Sequence, residues 1–222
     1  MTKRHSPLPF AKTTRIIVLV ALSTGLLSAA EEPRRISWTF EADNPGAAAD
    51  GWRTERGEWK VVVDRTAPTL YHAFAQSARS GRSTFNLALA PQERFGDIDL
   101  TVRLRAVSGE VDRGGGPVWR AKDRDNYYVC RYNPLERNFR VYFVALGRRK
   151  QLASADAKPK DGWNEIRVTM TGDHIRCYLD GKLLLDVRDR TFPLPGMIGL
   201  WTKADAVTHF DDVRLVLAAT SE

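Results

Sequence analysis

Two arginines, Arg131 and Arg140, sit in the stretch NYYVCRYNPLERNFRVYFV, residues 126–144. A guanidinium is a rigid fork of N–H donors that meets carboxylates, phosphates or paired hydroxyls. Successive strand residues point to opposite faces, so Tyr128, Cys130 and Tyr132 share one side and Arg131 and Asn133 the other. Asn133 and Pro134 are turn formers. A hairpin symmetric about Leu135 and Glu136 sets Phe139, Val141 and Phe143 against Tyr132, Cys130 and Tyr128, which makes one apolar face. The same register sets Arg131 against Arg140 and Asn133 against Asn138. Like charges directly opposite destabilise a sheet. A carboxylate such as Glu136, Glu165 or Asp125, or else a ligand, must then compensate them.

Aromatic residues surround this pair. Trp119, Tyr127, Tyr142 and Trp201 alternate near Arg120, Arg131, Asn133, Arg140 and Lys203. Such mixtures suit sugars, because flat rings stack on C–H faces while forked donors meet hydroxyls or carboxylates. The competing reading is structural: tryptophans fill the interior of a sandwich and nearby acids balance the arginines. For proton transfer the candidates are Asp125, Glu136 and His209, with Asp123 and Asp205 also near the platform. Loop aspartates are commonly turn formers, and a lone strand histidine commonly packs in its neutral form. Glycosidases usually need two carboxyl groups flanking the scissile bond. The nearest one-strand pair, Asp97 and Asp99, reads as a solvated face. Glu41 with Asp211 or Asp212 offers hard oxygens for one structural calcium ion tying first and last strands. No Ser/His/Asp constellation, His-x-x-x-His pair, CxxC or phosphate loop is present.

The N-terminus carries Lys3, Arg4, Lys12 and Arg15 without an acid, then an apolar run from Ile16 to Leu27, then Ser28, Ala29 and Ala30. This pattern predicts a signal peptide over 1–30 and a secreted or periplasmic chain, with one domain over 31–222. The apolar run is short of the roughly 20 residues of a membrane span, so no stable membrane insertion is expected after cleavage. Subtracting those four basic residues from 34 leaves 30 against 27 acids, a net of +3 in place of +7. Acids and bases are interspersed without a basic stripe, which argues against a nucleic-acid partner. The two cysteines, Cys130 and Cys177, fall on apolar strand positions, as a bridge or as buried thiols.

Short alternating runs dominate the remainder: 36–41, 57–63, 69–75, 84–89, 96–107, 117–120, the hairpin, 165–170, 173–179, 196–202 and 207–217. Asp180-Gly181 is a tight-turn signal. Strands so closely spaced leave no room for crossover helices, so they predict an all-β, antiparallel two-sheet β-sandwich. The first and last strands, near WTFE and HFDDVRL, are expected to pair.

The runs VWRAKDRDNYYVCRYNPLERNFRVYFVALGRRKQLA, YLDGKLLLDV and GMIGLWTKADAVTHFDDVRL resemble the secreted bacterial family of 3-keto-disaccharide hydrolase domains, over roughly Trp38 to Leu217. The resemblance implies a concanavalin A-like jelly roll, similar to laminin G, and action on or binding to glycosides, some oxidised at the ring. As an enzyme, such a domain would hold sugar oxygens with Arg131 and Arg140, stack Trp119 or Tyr142, and move a proton with Asp125, Glu136 or His209. A ring ketone acidifies its neighbouring C–H, so one base with cationic donors suffices for elimination. The alternative is a non-catalytic carbohydrate-binding or adhesion module, and a third reading is a laminin G-like protein-partner domain.

Overall fold

The computed structural model describes residues 32–217, so the expected signal segment lies outside the described residues. Fifteen strands follow one another. They begin with β1 (Arg34–Trp38), β2 (Arg53–Arg56), β3 (Trp59–Val63), β4 (His72–Gln76), β5 (Phe85–Phe95), β6 (Ile98–Ser108), β7 (Gly116–Asp123) and β8 (Asn126–Asn133). They continue with β9 (Asn138–Ala145), β10 (Arg148–Asp156), β11 (Trp163–Thr171), β12 (His174–Leu179), β13 (Lys182–Arg188), β14 (Gly196–Lys203) and β15 (Val207–Leu217). Among the described residues no helix is long and apolar enough to cross a membrane.

The strands form two antiparallel sheets. The first runs β13-β12-β11-β6-β15-β4-β3, with β1 paired to β15, and the second runs β10-β9-β8-β7-β14-β5-β2. Period-two patterning explains the layering. In β6, Ile98, Leu100, Val102 and Leu104 are buried while Asp99, Thr101 and Arg103 between them are half-exposed. β11 does the same with Ile166, Val168 and Met170. These inner residues meet Trp119, Tyr128, Cys130, Tyr132, Phe139 and Val141 of the second sheet in one core. Each fully buried large apolar side chain contributes about 1.5–3 kcal/mol. Cys130 and Cys177 are free thiols in this core, and burial, with Cys177 adjacent, pushes the Cys130 thiol up.

The expected hairpin forms with its predicted register: Arg131 opposes Arg140, Cys130 opposes Val141 and Tyr132 opposes Phe139. Asp180 and Gly181 both take positive φ, 48° and 79°, which gives the two-residue turn its compatible twist. β1 pairs with β15 from Arg34 opposite Leu217 to Trp38 opposite Val213. Two features differ from the sequence reading. β2 is an additional edge strand, unread because RTER carries no apolar alternation. β5 runs on through Pro91 to Phe95, and the proline lies where the ladder to β14 slips between Gly196 and Ile198. A missing N–H is tolerated there.

Candidate functional site

The β8–β9 hairpin has two chemically different sides. Its core side is apolar. Its outward side carries Tyr127, Val129, Arg131 and Asn133 against Val144, Tyr142, Arg140 and Asn138. Leu87 and Leu89 from β5, Val118 from β7 and Trp201 from β14 join Tyr127, Val129, Tyr142 and Val144 in a second apolar cluster, separate from the sandwich core. The Trp201 indole N–H donates to the Tyr127 hydroxyl at 3.1 Å.

At the Asn133 end of this face lies an ionic network centred on Arg131, which is 1% exposed. Its Nη1 lies 3.1 Å from Asp112 Oδ2, and its Nη2 donates to Glu136 Oε2 at 2.7 Å and to Asn138 Oδ1 at 2.9 Å. Arg140 Nη1 reaches the same Glu136 oxygen at 3.5 Å and its Nε donates to Ser154 Oγ at 3.0 Å. The repulsion between the opposed arginines is therefore offset by Glu136, which both reach, and by Asp112 on Arg131. The expected compensators Asp125 and Glu165 are corrected: Glu165 pairs with Arg103 and Arg214 on the other sheet.

Asp112 reaches the network because its loop is pinned. The Asp205 carboxylate accepts the backbone N–H groups of Glu110, Val111 and Asp112 at 2.7, 3.0 and 3.0 Å. Gly109 permits the tight return, with φ at 144° and its absent Cβ otherwise 1.9 Å from the Asp112 carbonyl oxygen. Asn133 Nδ2 and Lys203 Nζ then donate to Asp112 at 2.8 and 3.3 Å. Asp112 was not singled out from sequence. Its only signal was an acid in a glycine-flanked loop, Gly109 to Gly116.

The two acids differ in basicity. Burial pushes the Asp112 carboxyl up, against the pull of the Arg131 and Lys203 charges. Burial would also raise Glu136, but hydrogen bonds from Asn138 and Arg131 and the charges of Arg131 and Arg140 bring it down to about 2. Within the same region the Tyr142 hydroxyl, Arg131 Nε and Arg149 Nη1 are buried without a hydrogen-bond partner among the described residues. Arg149 was missed in the sequence, although carrying the hairpin register into the next strand would have placed it opposite Val144.

Four expected site residues lie elsewhere. Trp119 points into the sandwich core, stacked on Tyr128 at 5.6 Å with its N–H on Met170 Sδ at 3.1 Å, so it offers no ring to a ligand. Arg120 adopts a left-handed φ of 45° and donates to the Gly96 and Phe192 carbonyls and to Asp97. It lines a separate cleft with Asp97, Asp173 and Asp189. Asp125 sits in the β7–β8 turn, where its N–H is tied to Asp123, about 20 Å along the strand from Arg131. His209 is on β15 of the first sheet, with Nδ1 2.8 Å from Asp64, and burial pushes its pKa down, against the pull of Asp64. It cannot act with the platform.

Of the three calcium candidates, Glu41 and Asp211 come together at Thr69 and Asp212 does not join them. The Thr69 hydroxyl oxygen lies 3.2 Å from Glu41 and 2.9 Å from Asp211, and Glu41 also takes the N–H groups of Tyr71 and His72. Asp212 turns away to Arg103 and Arg214. Among the described residues no three acidic, histidine or cysteine side chains cluster to hold a metal.

Residues 39–216 match the family described as the 3-keto-alpha-glucoside-1,2-lyase-like domain. No curated protein sequence shows a significant match. Among solved structures, a carbohydrate-binding module of family 66 from Bacillus subtilis superposes with a TM-score of 0.63 at 20% identity, covering 74% of this chain and 94% of the other. Domain 4 of an extracellular arabinanase from Geobacillus stearothermophilus, in complex with arabinotriose, gives 0.56 at 9% identity over 86% and 96%. The laminarinase catalytic domain from Thermotoga maritima gives 0.57 at 9% over 84% and 99%. These likenesses establish the jelly-roll sandwich.

Proposed function

The chain belongs to the 3-keto-alpha-glucoside-1,2-lyase-like domain family, a family of carbohydrate-active jelly rolls, and from that premise we propose that the outward face of the second sheet engages a glycoside. The carrying observation is the cluster of unpartnered polar atoms there, Arg131 Nε and the Tyr142 hydroxyl, beside the rings of Tyr142 and Trp201. Buried polar groups are almost always hydrogen-bonded, so donors left open together call for a ligand's oxygens. Arg140 and Lys203 at the rim supply further donors, while the Tyr142 and Trp201 rings, 3% and 0% exposed, form the packed floor beneath them. The basic, then apolar, start of the chain supports export, so that the domain meets its glycoside outside the cytoplasm.

Family membership favours turnover by elimination. In a 3-keto-glycoside the C2 proton is acidified by the ketone. A base removes it, the electron pair forms the C1–C2 double bond, and the C1–O bond breaks to release the aglycone, which is protonated. Glu136, near 2 and partly exposed, suits a permanent anion that orients Arg131 and Arg140, whereas Asp112, pushed up by burial, is fully enclosed by Arg131, Asn133 and Lys203 and serves the network that holds them. The module reading, binding without turnover, has the support of the superposed binding module.

The test is incubation of the purified protein with 3-keto-glycosides and their parent glycosides, followed by calorimetry and mass spectrometry. Binding weakened about tenfold in Arg140→Ala supports the platform. An unsaturated keto-sugar product identifies the lyase, and binding without product identifies the module. No binding to any glycoside, with Arg140→Ala indistinguishable from the parent, overturns the proposal.

A further inference from the structure

Arg149 on β10 faces outward opposite Val144. Its guanidinium carbon lies 4.2 Å from the Tyr142 ring centroid, 5.5 Å from Phe85 and 5.7 Å from Trp201. Three rings enclose a cation. The two acids of the ionic network are both engaged by other cations: Asp112 by Arg131 and Lys203, and Glu136 by Arg131 and Arg140. Around the Tyr142 ring and the buried network, Arg131, Arg140, Arg149 and Lys203 thus stand against Asp112 and Glu136, while toward the sheet edges the same face carries Asp156 opposite Asn138 and Arg53 and Arg56 opposite Leu89 and Leu87. Among the described residues Arg149 has no carboxylate partner, and its Nη1 has no hydrogen bond. Burial, with Arg131 repelling it, lowers its pKa. The Tyr142 hydroxyl, on a residue 3% exposed, is likewise open, and the Arg131 guanidinium carbon lies 6.0 Å from the centroid of that ring.

Resting on the glycoside platform proposed above, we infer that this face takes a glycan carrying a carboxylate, a hexuronate residue, with Arg149 and the Tyr142 hydroxyl forming the carboxylate subsite. A neutral sugar would leave a partly buried guanidinium without an opposite charge, which is costly. A carboxylate accepts several hydrogen bonds at once, matches the guanidinium fork and returns the face toward neutrality. The rings beneath Arg149 hold it in place without consuming its N–H donors.

The experiment compares oligogalacturonate, oligoglucuronate and oligomannuronate with their methyl esters, the same sugars without charge, by titration calorimetry at low and high salt. A sulfated oligosaccharide and the neutral glycosides of the previous test are separate arms. The expected result is that at least one free acid binds about tenfold or more tightly than its ester, an advantage that shrinks with added salt. Arg149→Gln brings the acid-to-ester ratio to within about twofold. If that variant fails to fold, Tyr142→Phe and the salt titration read the same ratio. Equal binding of acid and ester, binding of the sulfated probe alone, or an advantage that survives Arg149→Gln overturns the inference. Binding of neutral glycosides without any uronate refutes this inference and spares the platform, whereas no binding by either set refutes both.

Discussion

The outward faces of the two sheets carry similar charges and use them differently. On the first sheet, Asp99 pairs with Arg167, Glu165 with Arg103 and Arg214, Asp212 with Arg103 and Arg214, and Asp186 with His174 and Arg176. Every link in that ladder is at least partly exposed; beside it the buried Asp64, 3% exposed in its side chain, takes Arg105 and His209. On the second sheet, aromatic and aliphatic residues occupy the middle, and the charges of Arg131 and Asp112 are withdrawn from solvent at 1% and 0% exposure. The difference teaches where ionic chemistry carries energetic weight. Exposed pairs are worth about 0–1 kcal/mol each, whereas removing one partner of a buried pair costs about 3–5 kcal/mol.

Removing the buried acid should break the comparison most. Asp112→Asn keeps the shape and deletes the charge that Arg131 and Lys203 face. The expected loss is about 3 kcal/mol, a fall in Tm of roughly 10 °C by thermal denaturation. A variant as stable as the parent would mean that Arg131 does not depend on Asp112, and the buried network would lose its role.

Tyr142→Phe sharpens the same contrast from the other side. In the free protein its hydroxyl is buried and unpartnered, so deleting it should leave the stability unchanged or raise it by about 1 kcal/mol. Glycoside affinity should fall about tenfold in the same variant. A buried tyrosine hydroxyl that already had a protein partner would show the reverse pattern, lost stability with intact binding.

Acid titration separates the two faces next. Glu136 has a folded-state pKa of about 2, below its unfolded value near 4.3. A depressed carboxyl contributes stability that is fully present above the unfolded pKa and is lost as pH falls through the folded one. Unfolding free energy should therefore decline between about pH 4.5 and 2, and Glu136→Gln should flatten part of that decline. A denaturation series with the same slope in both proteins would show that Glu136 does not carry it.

Much of the sandwich was legible because period-two patterning is a local signal. Strand faces, the hairpin register and the Asp180-Gly181 turn all follow from neighbours in sequence. The opposition of Arg131 and Arg140 was read from the same register. Glu136, one of the acids expected to neutralise them, does so; Asp112 was not legible, because it arrives from a loop whose path depends on Asp205, and the two acids are far apart in the chain. Trp119 and Arg120 failed as binding candidates for a related reason. Residue type favours a ring and a cation at a sugar, but Trp119 pairs with core-facing Tyr128, and Arg120 falls in the slip of β7 against β8 with a φ of 45°. His209 was chosen for its chemistry, and only the sheet order shows that β15 belongs to the opposite layer.

The smallest expected effect tests the solvated ladder itself. Arg167 holds Asp99 through Nε at 2.7 Å and Nη2 at 2.6 Å and lies 5.2 Å from the Tyr178 ring, yet its side chain is 43% exposed. Good geometry favours the pair, but solvent and salt screen it. Arg167→Ala should lower stability by about 0.5 kcal/mol, an amount that disappears in 1 M salt, where the Debye length is about 3 Å. The same salt should leave most of the Asp112→Asn deficit in place, because the buried pair is shielded from ions. If high salt erased both deficits alike, the two faces would be electrostatically equivalent, and the second sheet would have no special claim to a ligand.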